Sequence, residues 1–157
     1  MLDRFFRIVV AMSACIACVS VFGADIGSTR PAVRYLIPDG YVGWLRIDYA
    51  VSDARAMQYG LPHVLPLPVE NGVVVAEFPP SGYLVTSSRM EDGWAKDEYF
   101  YSANGVRKPL SQAHDTGMVW EKANGSNYTF FFIGSNADYR KYGYKHDPQP
   151  RPGPIQR

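Results

Sequence analysis

The chain has 157 residues, of which 46% are hydrophobic and 14% aromatic, and a formal net charge of +1. That length suits one domain and leaves little room for a second. The near-neutral charge comes without a basic stripe, which argues against nucleic acid as a partner.

Residues 1–24, "MLDRFFRIVVAMSACIACVSVFGA", read as a secretory signal. Arg4 and Arg7 precede a 15-residue apolar run from Ile8 to Phe22, and Val21 and Gly23 have the small size a signal peptidase requires. The run is shorter than the roughly 20 residues of a membrane-spanning helix. Both cysteines, Cys15 and Cys18, fall inside it, so the exported chain is expected to have no disulfide. "MSAC" has the look of a lipoprotein cleavage box at Cys15, but a hydrophobic stretch would follow the cut, and simple cleavage is the preferred reading. Cleavage removes Asp3, Arg4 and Arg7 and leaves 14 basic and 14 acidic side chains.

Beyond a linker over 25–33, short β-runs alternate with turn residues. "RYLI" (34–37) ends at the turn signal "PDG". In "VGWLRIDY" (42–49), Leu45 and Ile47 share one face while Trp44, Arg46 and Asp48 share the other. "LPHVLPLPVENG" (61–72) is too rich in proline for a central strand and reads as an edge or a crossing loop. Strands are predicted at 73–78, 83–87, 94–102, 106–109, 117–122 and 127–133, with hairpin turns at Asn104-Gly105 and Asn124-Gly125. "YTFFFI" has apolar rings on both faces and is expected to be a central strand. "SNADYRKYG" (135–143) is the one predicted helix, with Ser135 and Asp138 at capping-box spacing and Gly143 as its stop. The tail over 145–157 has proline at alternate positions from Pro148 to Pro154, which predicts a disordered end. The expected fold is all-β: an antiparallel β-sandwich or open barrel over 34–144 with one short C-terminal helix.

Asp97 and Glu98 stand side by side among aromatic residues, which raises the question of a catalytic acid pair. Neighbouring strand residues point to opposite faces, so Asp97 would share a face with Tyr99 while Glu98 shares one with Trp94. Two carboxyls that act on one bond must face it together. The pair is therefore expected to be structural unless a bulge turns one residue around. His63, His114 and His146 lack the close spacing of a zinc pair, and no serine sits in a G-x-S-x-G elbow. No catalytic residue, metal site or cofactor is assigned. Trp44 beside Arg46 has the composition of an interface hot spot. Trp44, Arg46, Trp94, Asp97, Glu98 and Tyr99 are the candidate binding residues.

Four stretches carry a resemblance: "YLIPDGYVGWLRIDY" (35–49), "PLPVENGVVVAEFPPSGYLVTSS" (66–88), "DGWAKDEYFYS" (92–102) and "FFIGSNADYRKYG" (131–143). Together they resemble a domain family of unknown function found in exported bacterial proteins. This chain departs from the family pattern at "LPHVLPLP" and at an extra "DARAMQYG". The resemblance implies export, bacterial origin and a β-rich domain, and it implies no activity. The reading that results is an exported binding module, periplasmic or extracellular and without a transmembrane segment after cleavage. Its partner would be another protein or an envelope component, as for an inhibitor or immunity-like protein. The alternatives are an enzyme acting on envelope polysaccharide or peptide through Asp97 or Glu98, and a structural envelope component.

Overall fold

The computed structural model describes residues 29–112, 117–143 and 153–154. The signal segment with Cys15 and Cys18, His114, His146 and most of the proline tail lie outside the described residues.

Two sheets face each other. The first has strands β1 (Val33–Pro38), β3 (Val69–Glu70), β4 (Val73–Glu77), β6 (Glu98–Ala103) and β7 (Val106–Pro109), in the order β3-β4-β1-β6-β7. The second has β2 (Gly43–Asp48), β5 (Tyr83–Val85), β8 (Val119–Asn124), β9 (Tyr128–Ile133) and β10 (Gly153–Pro154), in the order β10-β2-β9-β8. β9 takes one edge of β2 along its whole length. β10 and β5 share the other edge end to end, β10 opposite residues 43–44 and β5 opposite 46–48.

The all-β, two-sheet expectation is met, but the pairing is mixed and not purely antiparallel. β1 runs parallel to both β4 and β6, and β5 runs parallel to β2. The reason lies in the connections. Asn71-Gly72 and Asn104-Gly105 close true hairpins, and all four residues adopt positive φ. The Pro38-Asp39-Gly40 turn instead carries the chain from one sheet to the other, with Tyr41 N donating to Pro38 O at 3.0 Å. Strands that meet after such a crossing have no turn to impose opposite directions.

The core lies between the sheets. Tyr35, Ile37, Ala76 and Tyr99 come from the first sheet and Leu45, Ile47, Phe131 and Ile133 from the second. Period-two alternation puts these residues inward on each strand. Aromatic rings fill much of the space: Tyr35 stacks on Tyr99 with ring centres 4.7 Å apart, and Phe131 meets both edge-on. β9 is covered on both faces, as "YTFFFI" predicts. Phe131 and Ile133 face the core, and Phe132 on the other side is buried against Trp44 and Tyr139.

The C-terminal helical segment forms where its caps indicate. α2 (Asn136–Asp138) has the Ser135–Asp138 capping box, and a π-helical stretch continues from Tyr139 to Gly143. Tyr139 stacks on Trp120, 4.9 Å between centres and 7° from parallel. A second helical piece was not expected. α1 (Asp53–Ala56) and the 3₁₀ turn Met57–Tyr59 lie in the "DARAMQYG" insertion. Ser52 caps α1 through its hydroxyl, and Gly60 ends the turn in the left-handed region. Ala56 there packs with Val51 and Val64 in a small second cluster.

The proline-rich stretch straps the two sheets together on one side. Leu65 O accepts from Thr86 Oγ1 at 2.9 Å, Leu67 N donates to Ser88 Oγ at 2.9 Å, and Pro68 O accepts from Val75 N at 2.8 Å. Proline suits this role because it holds an extended backbone without needing a ladder partner. In the tail, Gly153 and Pro154 pair with β2, so these two residues form a strand and not a disordered end.

Gly82 shows how closely the crossings pack. Its φ is +73°, and a Cβ there would run into the Tyr41 hydroxyl, which itself donates to Trp44 O at 2.6 Å. Gly82→Ala is expected to cost about 2–4 kcal/mol, from left-handed strain plus overpacking. The midpoint of urea unfolding measures it, and an unchanged midpoint would mean that Tyr41 swings aside freely.

Candidate functional site

The six candidate binding residues do not converge on one surface. Trp44 and Arg46 lie on the outer face of the second sheet. Trp94 stands in the loop before β6, Asp97 at the end of that loop, Glu98 on the outer face of the first sheet and Tyr99 in the core.

β6 begins at Glu98, so Trp94 to Asp97 precede the strand. Asp97 nonetheless points to the same side as Tyr99, and Glu98 to the opposite side. Arg30 meets Asp97 in a two-pronged pair, Nη1–Oδ1 at 3.0 Å and Nη2–Oδ2 at 2.8 Å. Both side chains are nearly buried, 12% and 8% exposed. Val33 N also donates to Asp97 Oδ1 at 3.0 Å. Arg30 further donates to Gly93 O and Pro31 O, and Thr29 exchanges hydrogen bonds with Trp94. Residues 29–32 are thus pinned against the 93–97 loop. The hydrogen bond from Asp97 raises the Arg30 pKa above its ordinary value, and Asp97's charge adds to this against the opposing effect of burial. Glu98 pairs with Arg34 of β1, directly opposite in register, at 2.7 Å. Each carboxylate is therefore held by its own arginine on its own face. That geometry does not suit a pair acting on one bond.

The signal for these partners was present in the sequence as Arg30 and Arg34. Their spacing of four residues could not show that β1 would lie parallel beside β6, with Arg34 and Glu98 64 positions apart in the chain.

On the outer face of the second sheet, Arg46 donates through Nε to Asp48 Oδ1 at 2.7 Å and lies 4.5 Å above the Tyr128 ring. The hydroxyl of Tyr83 donates to the other oxygen of Asp48. Burial, that bond and Asp48's charge push the Tyr83 pKa up, and Tyr59 adds to the effect. For Arg46, burial works against the charged form, and the bond to Asp48 and its charge outweigh it. Trp44 is packed edge-on between Phe130 and Phe132 and is 8% exposed, so it serves as covered packing on this face. Its indole Nε1 has no hydrogen-bond acceptor among the described residues. Trp94 differs in kind, being 58% exposed.

Two concavities stand out. One is a cavity of about 230 Å³ between the sheets, lined by Tyr35, Tyr49, Val33, Val74, Ser88 and Thr129 among others. The other is an open groove of about 1050 Å³ under the proline strap. Its walls include Tyr59, Tyr83, Phe78, Pro66, Pro79 and Pro80, with Leu61 and Leu65 along the strap. Leu65 is 76% exposed and Leu61 37%. Glu70, Glu77, His63 and Arg107 add charge to the lining. Sequence reasoning identified the strap as an edge or a crossing loop but did not identify the groove, because Leu61 and Leu65 resemble any other apolar residues of an extended segment.

Among the described residues, no group of three or more His, Cys, Asp or Glu side chains is placed to hold a metal ion. No described helix is long and apolar enough to cross a membrane.

Comparison with known proteins gives a family and a fold. No curated protein matches the chain. A solved structure from Bacillus anthracis, described as a putative lipoprotein, superposes with a TM-score of 0.52 at 22% identity, covering 76% of this chain and 82% of that one. At that identity the likeness is one of fold. The family model DUF6843, described as a family of unknown function, matches residues 30–144, from the arginine that holds Asp97 to the end of the C-terminal helical segment, and the chain belongs to that family.

Proposed function

We propose that this protein is an exported, envelope-associated module that binds a protein partner through the groove under the proline strap. The observation that carries this reading is the groove itself: about 1050 Å³ with Leu61 and Leu65 exposed along it. Exposed apolar surface around a concavity marks interaction sites more often than it occurs by chance on a lone domain. The charged residues around the groove supply the polar rim that such interfaces have. The leader-like residues 1–24 and the lipoprotein description of the structural neighbour support export and envelope association. The strapped, hydrogen-bonded backbone of residues 65–68 supports a groove that is formed before the partner arrives. An inhibitor- or immunity-like role, in which the groove side covers another protein, is the form of this reading that fits a domain whose acidic pair is locked in salt bridges.

The test is crosslinking capture from the native envelope, followed by mass spectrometry. Leu65→Glu is expected to abolish retention of the dominant partner, because it places a charge in a desolvated contact at a cost of about 2 kcal/mol or more, some thirtyfold in affinity. Leu65 is exposed, so the fold should be unaffected. Trp94→Ala, on a different surface, serves as the comparison. If Leu65→Glu retains the partner while Trp94→Ala loses it, the groove is the wrong surface and the 93–97 loop is the right one. Trp44→Ala is unsuited to this purpose because it empties a packed site.

A further inference from the structure

We propose that the cavity between the sheets is a binding site for a small monocarboxylate with an apolar body of about one ring. The cavity lies where β1, β4 and β9 meet the 88–91 loop, and its volume is about 230 Å³. The cavity opens to solvent on the side of Arg89, Glu91 and Asn124, which are exposed. An apolar cavity of about 150 Å³ accommodates benzene. The space here fits one ring with a short polar head. Val33, Val74 and the rings of Tyr35 and Tyr49 form the apolar walls, with Met90 beside them.

The polar lining favours an acceptor. Ser88 Oγ accepts from Leu67 N at 2.9 Å, and its own O–H has no acceptor among the described residues. Asn124 Oδ1 accepts from the buried Thr129 hydroxyl at 2.8 Å, and its amide N–H₂ has no acceptor there either. Arg89 is exposed, lines the same cavity and pairs with no carboxylate among the described residues. Arg30 also lines it, but its guanidinium is taken up by Asp97, Gly93 and Pro31. Glu91 is the acidic residue of the lining. Three unused donors, one of them a guanidinium, are thus available to a carboxylate whose apolar body fills the space behind them. This site shares Leu67 with the groove but opens among different residues otherwise, and neither proposal depends on the other.

The experiment titrates the full ¹⁵N-labelled chain with phenylacetate and, in parallel, with phenylacetamide, followed by NMR amide shifts and calorimetry. Phenylacetate is expected to give saturable shifts at Ser88, Met90 and Thr129 and to bind about fivefold or more tighter than the amide, since a charge-assisted head is the stronger one. Arg89→Ala should remove that preference and leave phenylacetamide binding unchanged. Val74→Phe fills the cavity and should abolish both while the rest of the spectrum is preserved; Val33→Phe does the same from the neighbouring strand should the first variant misfold. Absence of saturable shifts with either probe would overturn the proposal. So would shifts that persist in the filled variants, or equal affinity for the two probes.

Discussion

Asp97→Ala is expected to destabilise the domain by about 3–5 kcal/mol, enough to leave much of a marginally stable domain unfolded. The substitution does more than remove one contact. It leaves the Arg30 guanidinium, 12% exposed, without its counter-charge, and it orphans Val33 N at the start of β1. A buried charge stripped of its partner costs more than the pair is worth when intact. Arg30→Met combined with Asp97→Leu should recover part of the loss, because it removes both charges together; the remaining deficit reflects Val33 N, about 1–3 kcal/mol. Glu98→Ala is the internal comparison. Its side chain is 42% exposed, and a solvent-facing pair with Arg34 contributes about 1 kcal/mol or less. Urea unfolding of the four proteins measures the series. Equal losses at Asp97 and Glu98 would show that burial of the Arg30–Asp97 pair is energetically irrelevant, and the account of the domain's N-terminal anchor would fail.

Alkaline unfolding is the second large effect. Tyr35, Tyr41, Tyr49 and Tyr99 are all buried, from 1% to 7% exposed. Burial raises the pKa of each above the ordinary tyrosine value, with Asp97 adding to the effect at Tyr35, Tyr49 and Tyr99. In the unfolded chain these phenols ionise near pH 10, whereas in the fold they keep their protons. The folded state then binds more protons than the unfolded state, so stability falls as pH rises. Stability is complete below about pH 10, and above it each tyrosine withdraws about 1.4 kcal/mol per pH unit until its folded pKa is reached. Four such groups acting together should unfold the domain within roughly two pH units of the onset. Phenolate absorbance should rise in two parts: the accessible tyrosines first, then the buried four and Tyr83, whose bond to Asp48 also holds its proton, in step with loss of circular dichroism. Smooth titration of all tyrosines with the fold intact at pH 12 would refute the buried cluster.

Local signals account well for the elements. The Asn71-Gly72 and Asn104-Gly105 turns, the two-faced apolar run of β9 and the Ser135–Asp138 capping box each depend on a few adjacent residues, and each appears as written. The alternation in β2 predicts a half-buried strand, but five of its six residues are buried because Trp44 and Asp48 are covered on the outer face as well. Ser52 and Gly60 are equally good helix boundaries for α1 and its 3₁₀ turn, but four helical residues give too short a period to recognise. Among the site residues, strand alternation over 94–102 is the expected reason for Asp97 and Glu98 to diverge, but β6 begins only at Glu98, and what holds the two carboxylates apart is their separate pairing with Arg30 and Arg34. Those partners were not legible, because a salt bridge between residues 30 and 97 depends on where two strands meet.

From the sequence alone come the leader-like segment, the β-rich domain with one late helix, and the reading of the proline stretch as an edge or crossing segment. All follow from local backbone preference and period-two patterning, which act over a few residues. Only the tertiary structure decided that β1 runs parallel to β4 and β6, that Arg30 and Arg34 neutralise the two carboxylates, that Trp44 is covered while Trp94 is open, and that the strap leaves a groove beneath Leu61 and Leu65. These outcomes depend on which distant faces bury one another best, a comparison among whole arrangements of the chain that no short segment of it encodes.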